Sequence, residues 1–428
     1  MDSHIIKNLD SLATTPLRED ALGILEAGLQ AIRTDDALHR VVKLGGSTLT
    51  VGDRSYDLTQ YERVLVLGIG KAALDAAAAL EDILNDHITD GVIIDTRTKG
   101  LKYMQSLVGT HPLPSEQNIE ATKEALALLQ NTSKDDLVII IVSGGGSTLL
   151  CQPYGISVQE LADVTQSLMK KGAPIEEVNT VRKHLSSVHG GQLAEMAAPA
   201  TVIGLIFSDI PTNDISLVAS GPTFLDTSTV ADAKAVLSRY GITLEEKSVS
   251  PFKETPKDPS LFSSVHNQIV VSNQLAAEAM LAAATSLKYN TRLYATDIQG
   301  EAREVGAMLA NLPKENEVII ACGETTVTVT GNGQGGRNQE LALSALLDIP
   351  ESTLVISCAS DGVDNNTPVA GAIADSEAKA QAQSLSLTPK DFLETNDSYS
   401  FFKKVGTTID TGKTGTNVAD LMIAIRRL

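Results

Sequence analysis

A chain of 428 residues exceeds the size at which a single hydrophobic core usually stops growing, so two domains, or three, are expected. Apolar residues make up 43% while aromatics are only 4% and tryptophan is absent, so the core must be built from Ala, Val, Ile and Leu. That favours a layered α/β protein over an all-β sandwich, and a formal charge of −19 with no long Lys/Arg run excludes nucleic acid as a partner.

The opening MDSHIIKNLDSLATT lacks the basic start and apolar stretch of a signal peptide, and no apolar run reaches membrane-spanning length. A soluble, cytoplasmic protein with no membrane partner is expected. Cys151, Cys322 and Cys358 sit in apolar contexts without CxxC spacing, which reads as buried thiols rather than metal ligands.

Leu17 to Val42 has apolar positions at helical spacing, and Lys43 to Leu58 reads as a short β segment around Gly45-Gly46 and Gly52-Asp53. Buried strands are expected at Val64-Leu67, Val92-Ile94, Val138-Val142 and Val202-Phe207. Helices at Ala72-Leu84, Glu116-Gln130, Val158-Lys171 and Leu193-Met196 separate them. Such alternation predicts a mostly parallel sheet with helices on both faces. Residues 250–264, SPFKETPKDPSLFSS, concentrate proline, charge and serine without periodicity and read as the linker. A second α/β stretch begins at Ile269-Val271 and continues through a helix at Gln274-Ser286. Strands follow at Val318-Ala321, Thr325-Thr330 and Leu354-Ala359, then a terminal helix at Val418-Arg427 with Asn417 as its N-cap.

Two glycine-rich turns carry the first chemical signal. Gly68-Ile69-Gly70-Lys71 follows a strand and opens a helix, where glycines allow close backbone approach and free N–H groups attract an anion. The same turn matches the dinucleotide fingerprint GxGxx(G/A), with Asp95 at the distance of a ribose-binding acid, so a nicotinamide-dependent reductase is a rival reading. Lys71 can neutralise phosphate, and a solvent-facing lysine is the bland alternative. Ser143-Gly144-Gly145-Gly146-Ser147 follows another apolar strand, and both turns would face the crevice at the carboxyl ends of one parallel sheet. Near the C-terminus Gly412-Lys413-Thr414 fails the GxxxxGK[ST] spacing, and plain capping is its simplest role.

Charged groups supply the rest. If Glu177 to His184 is helical, Asn179, Arg182 and Lys183 share a face that can hold a carboxylate or phosphate; an exposed charged face is the alternative. Asp209 follows the strand ending at Phe207 and can accept a hydroxyl proton or hold Mg2+, and Ala219-Ser220-Gly221-Pro222-Thr223 is a further small-residue turn. Arg337, Asn338, Gln339 and Glu340 open a helix after a run of glycines, so that Arg337 can pair with a carboxylate or stabilise a transferring phosphoryl group. Asp361 repeats the strand-then-Asp pattern, with an Asx turn as its plain reading.

The order of these motifs resembles the MOFRL-type (class II) glycerate 2-kinase family. The resemblance is carried by GIGKAA at 68–73, HPLP at 111–114, SGGGS at 143–147, EEVNTVRKHLS at 176–186, SDIP at 208–211 and ASGPT at 219–223. It continues through GQGGRNQELAL at 333–343, SDGVDNNTP at 360–368, NDSY at 396–399 and TGKTGTNVADL at 411–421, nearly the whole chain. Departures are Thr212-Asn213, where similar sequences often have Gly-Asp, and Thr148, where alanine is frequent. They place Asp214 in more doubt than Asp209.

The resemblance implies two α/β domains: a Rossmann-like, mostly parallel sheet over residues 1–248 and a smaller MOFRL α/β domain over 265–428, with the active site in the cleft between them and the terminal helix packed on either. It implies ATP-dependent phosphorylation of D-glycerate at its 2-hydroxyl. Lys71 resembles the family's active-site lysine, Arg337 its cleft arginine, and Asp209 an acidic partner. Gly68, Gly70, Ser143, Gly144, Gly145, Gly146, Ser147, Asn179, Arg182, Lys183, Asn338, Glu340 and Asp361 are the expected substrate and nucleotide contacts, with Asp209 and Asp361 as carboxylates for Mg2+. ATP and D-glycerate are the expected small-molecule partners, and a homodimer is compatible. The competing readings are an NAD(P)H-dependent hydroxypyruvate reductase and a non-catalytic sugar-acid binding protein.

Overall fold

The computed structural model describes residues 4–210, 214–244 and 250–427. They divide into two compact units, one of residues 37–208, 214–244 and 250–270, the other of 4–36, 209–210 and 271–427. Thr212-Asn213 lies outside the described residues.

The first unit begins with an antiparallel three-stranded meander, β1 (Val42–Gly45), β2 (Thr48–Val51) and β3 (Arg54–Asp57), as the turn residues at 45–46 and 52–53 predict. Its main sheet contains β4 (Arg63–Ile69), β5 (Asp90–Asp95), β6 (Gln105–Val108), β7 (Asp136–Ser143), β8 (Thr201–Phe207) and β9 (Val265–Val271), in the order β6-β5-β4-β7-β8-β9. The pairs β6/β5, β5/β4, β4/β7 and β7/β8 are parallel. Every residue of β7 is buried, which is why this strand reads as an unbroken apolar run rather than an alternating one. The chain leaves β4 toward β5 on one side and resumes at β7 on the other, so the carboxyl ends of β4 and β7 form the point where the strand order reverses. Ligands of open α/β sheets collect at that point.

Residues 250–264 do not act as a free linker. Asp226, buried with Lys183, accepts a hydrogen bond from the Thr255 hydroxyl, and Lys257 donates to the carbonyls of Asp226 and Ser228. Phe252 packs against the cluster of Leu161, Val164, Val181 and Val236. A buried carboxylate needs several donors, and this segment supplies them, so it belongs to the first unit and leads into β9.

The second unit is built on β10 (Asn290–Ile298), β11 (Glu317–Gly323), β12 (Thr353–Ala359), β13 (Gly371–Asp375), β14 (Thr408–Ile409) and β15 (Asp420–Arg426), in the order β10-β11-β15-β12-β13-β14. Only β10/β11 among the described pairs of this sheet is parallel. The terminal helix expected over 418–427 is instead β15, the strand between β11 and β12. Leu421-Met422-Ile423-Ala424-Ile425 is buried throughout, and a short apolar run without polar alternation does not distinguish helix from central strand. Asn417 accordingly caps no helix; its side chain accepts the Ala419 amide in a local turn. Thr325–Thr330, expected as a strand, is loop apart from one bridge between Glu301 and Thr326.

The helix Pro16–Ala31, read from sequence as part of the first domain, packs on the helix Asn273–Ser286 of this second unit. Gly28 makes the approach close: a Cβ there would meet Met280 Cγ at 2.6 Å. Arg18 completes the seam with a bidentate ion pair to the buried Asp375. No helix among the described residues is long and apolar enough to cross a membrane.

Candidate active site

The β4 turn does not present its backbone to a ligand. Gly70 N–H donates to Ile94 O, Lys71 N–H to Gly144 O, Ala72 N–H to Ser143 Oγ and Leu74 N–H to Asp95 Oδ2, so the amides at the start of the helix Ala73–Leu84 have protein acceptors. Gly68 is a packing glycine: an added Cβ would lie 2.8 Å from Ile93 Cδ1. Gly70 is more constrained, with φ at +117° and a would-be Cβ 2.5 Å from the Ser143 carbonyl oxygen. Gly70 and Ser143 thus clasp the two glycine turns together, while Gly68 packs on Ile93 and Ala73. Replacing Gly70 by alanine combines an unfavourable φ with a backbone clash, and is expected to destabilise the first unit by about 3 kcal/mol or more. Thermal melts would show it as a clear fall in Tm; an unchanged Tm would refute this account of the clasp.

Asp95, the acid of the dinucleotide fingerprint, is fully buried. Its carboxylate accepts the amides of Leu74, Thr96 and Arg97 and the Thr96 hydroxyl. Burial pushes its pKa up, against the lowering pull of those amides and of Arg97. A carboxylate spent on the neighbouring helix terminus cannot also hold a ribose, so the fingerprint here is a consequence of packing.

What remains open at this end of the sheet is side chains and the second glycine turn. Gly145 takes a left-handed conformation, φ +82°, and Gly146 and Ser147 open the four-residue helix Gly146–Leu149. Lys71 and His111 both lie against Gly145: a Cβ there would come within 3.2 Å of Lys71 Cγ and 3.3 Å of His111 Nε2. Lys71 is exposed. His111 stands out in the sequence only as the first residue of HPLP at 111–114. The buried Asn118 that fixes its loop, accepting from Thr110 and Ser115 and donating to Thr110 O and Thr148 O, carries no sequence signature.

On the other flank of the same turn, Ser147 Oγ lies 2.8 Å from Ser220 Oγ. Ser220 donates to Asn179 Oδ1, and Arg182 Nη1 donates to both Asn179 Oδ1 and Ser220 Oγ. Ser220 reaches this position because Ala219, Ser220 and Gly221 all have positive φ, and Gly146 leaves room for Ala219, whose Cβ would be 2.7 Å from a side chain there. Arg182 is half-buried and its described contacts are neutral; burial lowers its pKa to about 10, so it stays a cation at neutral pH. His189, 1% exposed, is kept neutral by burial and by Arg182 and Lys183, with its pKa lowered to about 3. An arginine held by neutral acceptors beside a polar turn keeps its charge available for an anion.

Lys183 does not join the Arg182 group. Its ammonium pairs with Asp226 at 3.1 Å, and burial would raise that carboxyl, but Lys183 and the surrounding hydroxyls hold it below its usual value. On the helix Ile175–His184, Asn179 and Arg182 are three apart and meet, whereas Lys183 turns to the interior cluster.

The second unit has its own polar cluster around the helix Arg337–Leu347. Arg337 forms a bidentate pair with Asp420 at 2.6 and 3.0 Å and a further one with Glu324 at 2.7 Å. Asn338 and Gln339 satisfy Asp364 through backbone and side-chain donors, and Asn338 also reaches Asp420. Burial pushes Asp420 up to about 6 despite Arg337, and raises Asp364 as well. Glu340 pairs with Arg303 and accepts from Asn396. Asn338 and Glu340 are therefore consumed in the framework that fixes Arg337. The cluster borders a cavity of 520 Å3 lined by Thr325, Val327, Gly336, Arg337, Asn365 and Asn396 among others. Asp361 forms the Asx turn foreseen as its plain reading, accepting the Val363 amide on Oδ1. Thr414 fastens the 412–416 segment to Ser360 and Asp361, a structural role. Among the described residues no three His, Cys, Asp or Glu side chains gather as a metal cage. The three cysteines are buried and free, with burial raising the Cys151 and Cys322 thiols to about 12.

Two descriptions recur among the similar proteins: glycerate kinase, and hydroxypyruvate reductase for a protein of Agrobacterium vitis that is 35% identical over 379 residues, covering 84% of this chain and 86% of its own. Residues 20–252 match the family model described as a domain of unknown function, DUF4147, and residues 317–420 match the MOFRL family. A D-glycerate 2-kinase of Thermotoga maritima is 38% identical over 381 residues, covering 85% of this chain and 91% of its own. A glycerate 2-kinase of Pyrococcus horikoshii is 35% identical over 434 residues, 96% of this chain and 97% of its own. The crystal structure of a glycerate kinase from Thermotoga maritima superposes with a TM-score of 0.85 at 34% identity, covering 95% of this chain and 99% of that one.

Proposed function

The chain belongs to the MOFRL-type glycerate 2-kinase family, and on that premise we propose that it transfers the γ-phosphoryl group of ATP to the 2-hydroxyl of D-glycerate. The observation that carries the residue-level reading is the Lys71, Gly144–Gly146, Ser147, Asn179 and Arg182 constellation at the reversal point of the first sheet.

Phosphoryl transfer needs positioning and charge neutralisation more than covalent help from the protein. Arg182, oriented by Asn179 and Ser220, holds the glycerate carboxylate, with Ser147 beside it. That fixes the 2-hydroxyl one carbon away from the anchored carboxylate. Lys71 is the cation proposed to neutralise charge on the transferring phosphoryl group, and Arg337 is likewise proposed as a phosphate-neutralising cation. The bidentate Asp420 pair and Glu324 hold the Arg337 guanidinium in a fixed orientation, which lowers the entropy lost on engaging phosphate.

Asp209 and Asp361 are the carboxylates proposed to meet Mg2+. A site of one or two carboxylates completed by nucleotide phosphates and water is the usual way Mg2+ is held, and Asp361 keeps Oδ2 available while Oδ1 serves its turn. When bound, the ion would offset negative charge on the ATP phosphates. A cytoplasmic location is supported by the three free thiols.

Incubation with ATP, Mg2+ and D-glycerate should yield 2-phosphoglycerate rather than 3-phosphoglycerate, resolved by phosphorus NMR. Formation of the 3-isomer, or NADH consumption with hydroxypyruvate in its place, would overturn the reading. In the same assay Arg182→Met should raise KM for D-glycerate by about two orders of magnitude, as expected for loss of a desolvated carboxylate partner, with KM for ATP little changed; equal effects on both substrates would remove Arg182 from the carboxylate subsite.

A further inference from the structure

The turn beside Lys71 and Arg182 gathers cations and neutral donors, and the reaction needs one more group. Attack by the 2-hydroxyl on phosphorus leaves a proton that must be accepted. Among the described residues neither Lys71 nor Arg182 has a carboxylate ion-pair partner, and burial keeps the nearby Cys151 thiol protonated and neutral. A titratable acceptor stands there: His111, exposed and lying with Lys71 against Gly145.

We propose that His111 is the general base of the reaction, accepting the proton of the glycerate 2-hydroxyl on an imidazole nitrogen. This assignment rests on the kinase reading above. In the step, the 2-oxygen forms its bond to the γ-phosphorus as the bond between that phosphorus and the β–γ bridging oxygen breaks. The electron pair of the broken bond leaves with ADP, the hydroxyl proton passes to His111, and the resulting imidazolium returns it to solvent after the product departs.

Three observations support this role. His111 is placed by a rigid loop: Asn118, fully buried, accepts from the Thr110 amide and hydroxyl and the Ser115 amide and donates to Thr110 O and Thr148 O. Gly145 provides the space, since a side chain there would press on both the imidazole and Lys71. The electrostatics favour the basic form. Partial burial and then the Lys71 charge hold the imidazole pKa below its ordinary value, so His111 is neutral at physiological pH. The loop 109–115 that carries it and the turn 143–147 against it contain no further charged side chain. An imidazole that is neutral at physiological pH has a nitrogen lone pair free to accept a proton.

The test compares wild type with His111→Gln and His111→Ala, following 2-phosphoglycerate formation across about pH 5 to 9. Wild-type kcat should fall as pH drops through the depressed imidazole pKa. Both variants should lose kcat by about 10² to 10³-fold at neutral pH, keep KM for D-glycerate within a few fold, and lose the acid limb. Free imidazole should restore part of the turnover of His111→Ala, in proportion to its unprotonated fraction, a response that a merely structural residue would not give. Retention of the acid limb in His111→Gln, or kcat within threefold of wild type in either variant, overturns the assignment while leaving the kinase reading intact. Absence of 2-phosphoglycerate from the wild type overturns both.

Discussion

Lys71→Ala is expected to lower kcat by about 10³-fold, the scale on which single charge-stabilising groups act in phosphoryl and acyl transfer, with no comparable loss of stability. The separation follows from how the turn is built. Its backbone amides are held by Gly144, Ser143, Ile94 and Asp95, none of which depends on the Lys71 side chain. The side chain is exposed, and among the described residues no carboxylate partner would be stranded by its removal. Thermal melts should superimpose, KM for D-glycerate should move little, and the loss should appear in kcat. Lys71→Arg, which keeps charge but not the compact point-charge geometry, should recover only part of the rate. Turnover of Lys71→Ala within tenfold of wild type would exclude it from the transfer step.

Arg337→Met should lose both activity and stability, and the two losses should come apart. The guanidinium pairs with Asp420, whose side chain is 1% exposed. Removing it leaves a buried carboxylate without its cation, a change that typically costs about 3–5 kcal/mol. Asp420, already raised to about 6 by burial, would then take up a proton at still higher pH. Its folded pKa lies above the unfolded value, so the folded state binds the proton more tightly. Stability of the variant should therefore be greatest at low pH and fall as pH rises through the folded pKa. Adding Asp420→Asn removes the stranded charge while keeping an acceptor for Asn338, so the double variant should recover most of the lost Tm. It should recover none of the kcat, expected to be down about 10³-fold as for other charge-stabilising arginines. If the double variant regained turnover as well, Arg337 would be a structural residue only.

The candidate site was legible in sequence to different depths. Lys71, Arg337 and the SGGGS turn stand out because glycines and isolated cations at strand ends are conspicuous in an acidic, alanine-rich chain. Gly68 and Gly70 were equally conspicuous for another reason: a glycine demanded by packing against Ile93 and Ser143 looks in sequence like a glycine demanded by a ligand. Arg182 and Lys183 are adjacent and alike, yet one meets neutral acceptors and the other a buried carboxylate 43 residues away in sequence. Spacing cannot separate them. His111 and Asn118 lie in a loop without periodicity, where sequence signals are weakest.

The sequence by itself determined the α/β class, the parallel arrangement of the first sheet and the small-residue turns at its strand ends. Those follow from local rules: apolar runs of strand length, helical spacing between them, and glycine where backbones approach closely. Long-range pairing decided the rest. The terminal segment became the central strand β15 because β11 and β12 leave hydrogen-bonding edges on both of its sides. The helix Pro16–Ala31 joined the second unit because Gly28 fits Met280 and Arg18 finds Asp375, 357 residues away. Whether each polar residue is a free functional group or a buried structural one depends on which partner the fold delivers, because a buried charge must be satisfied before it can serve anything else.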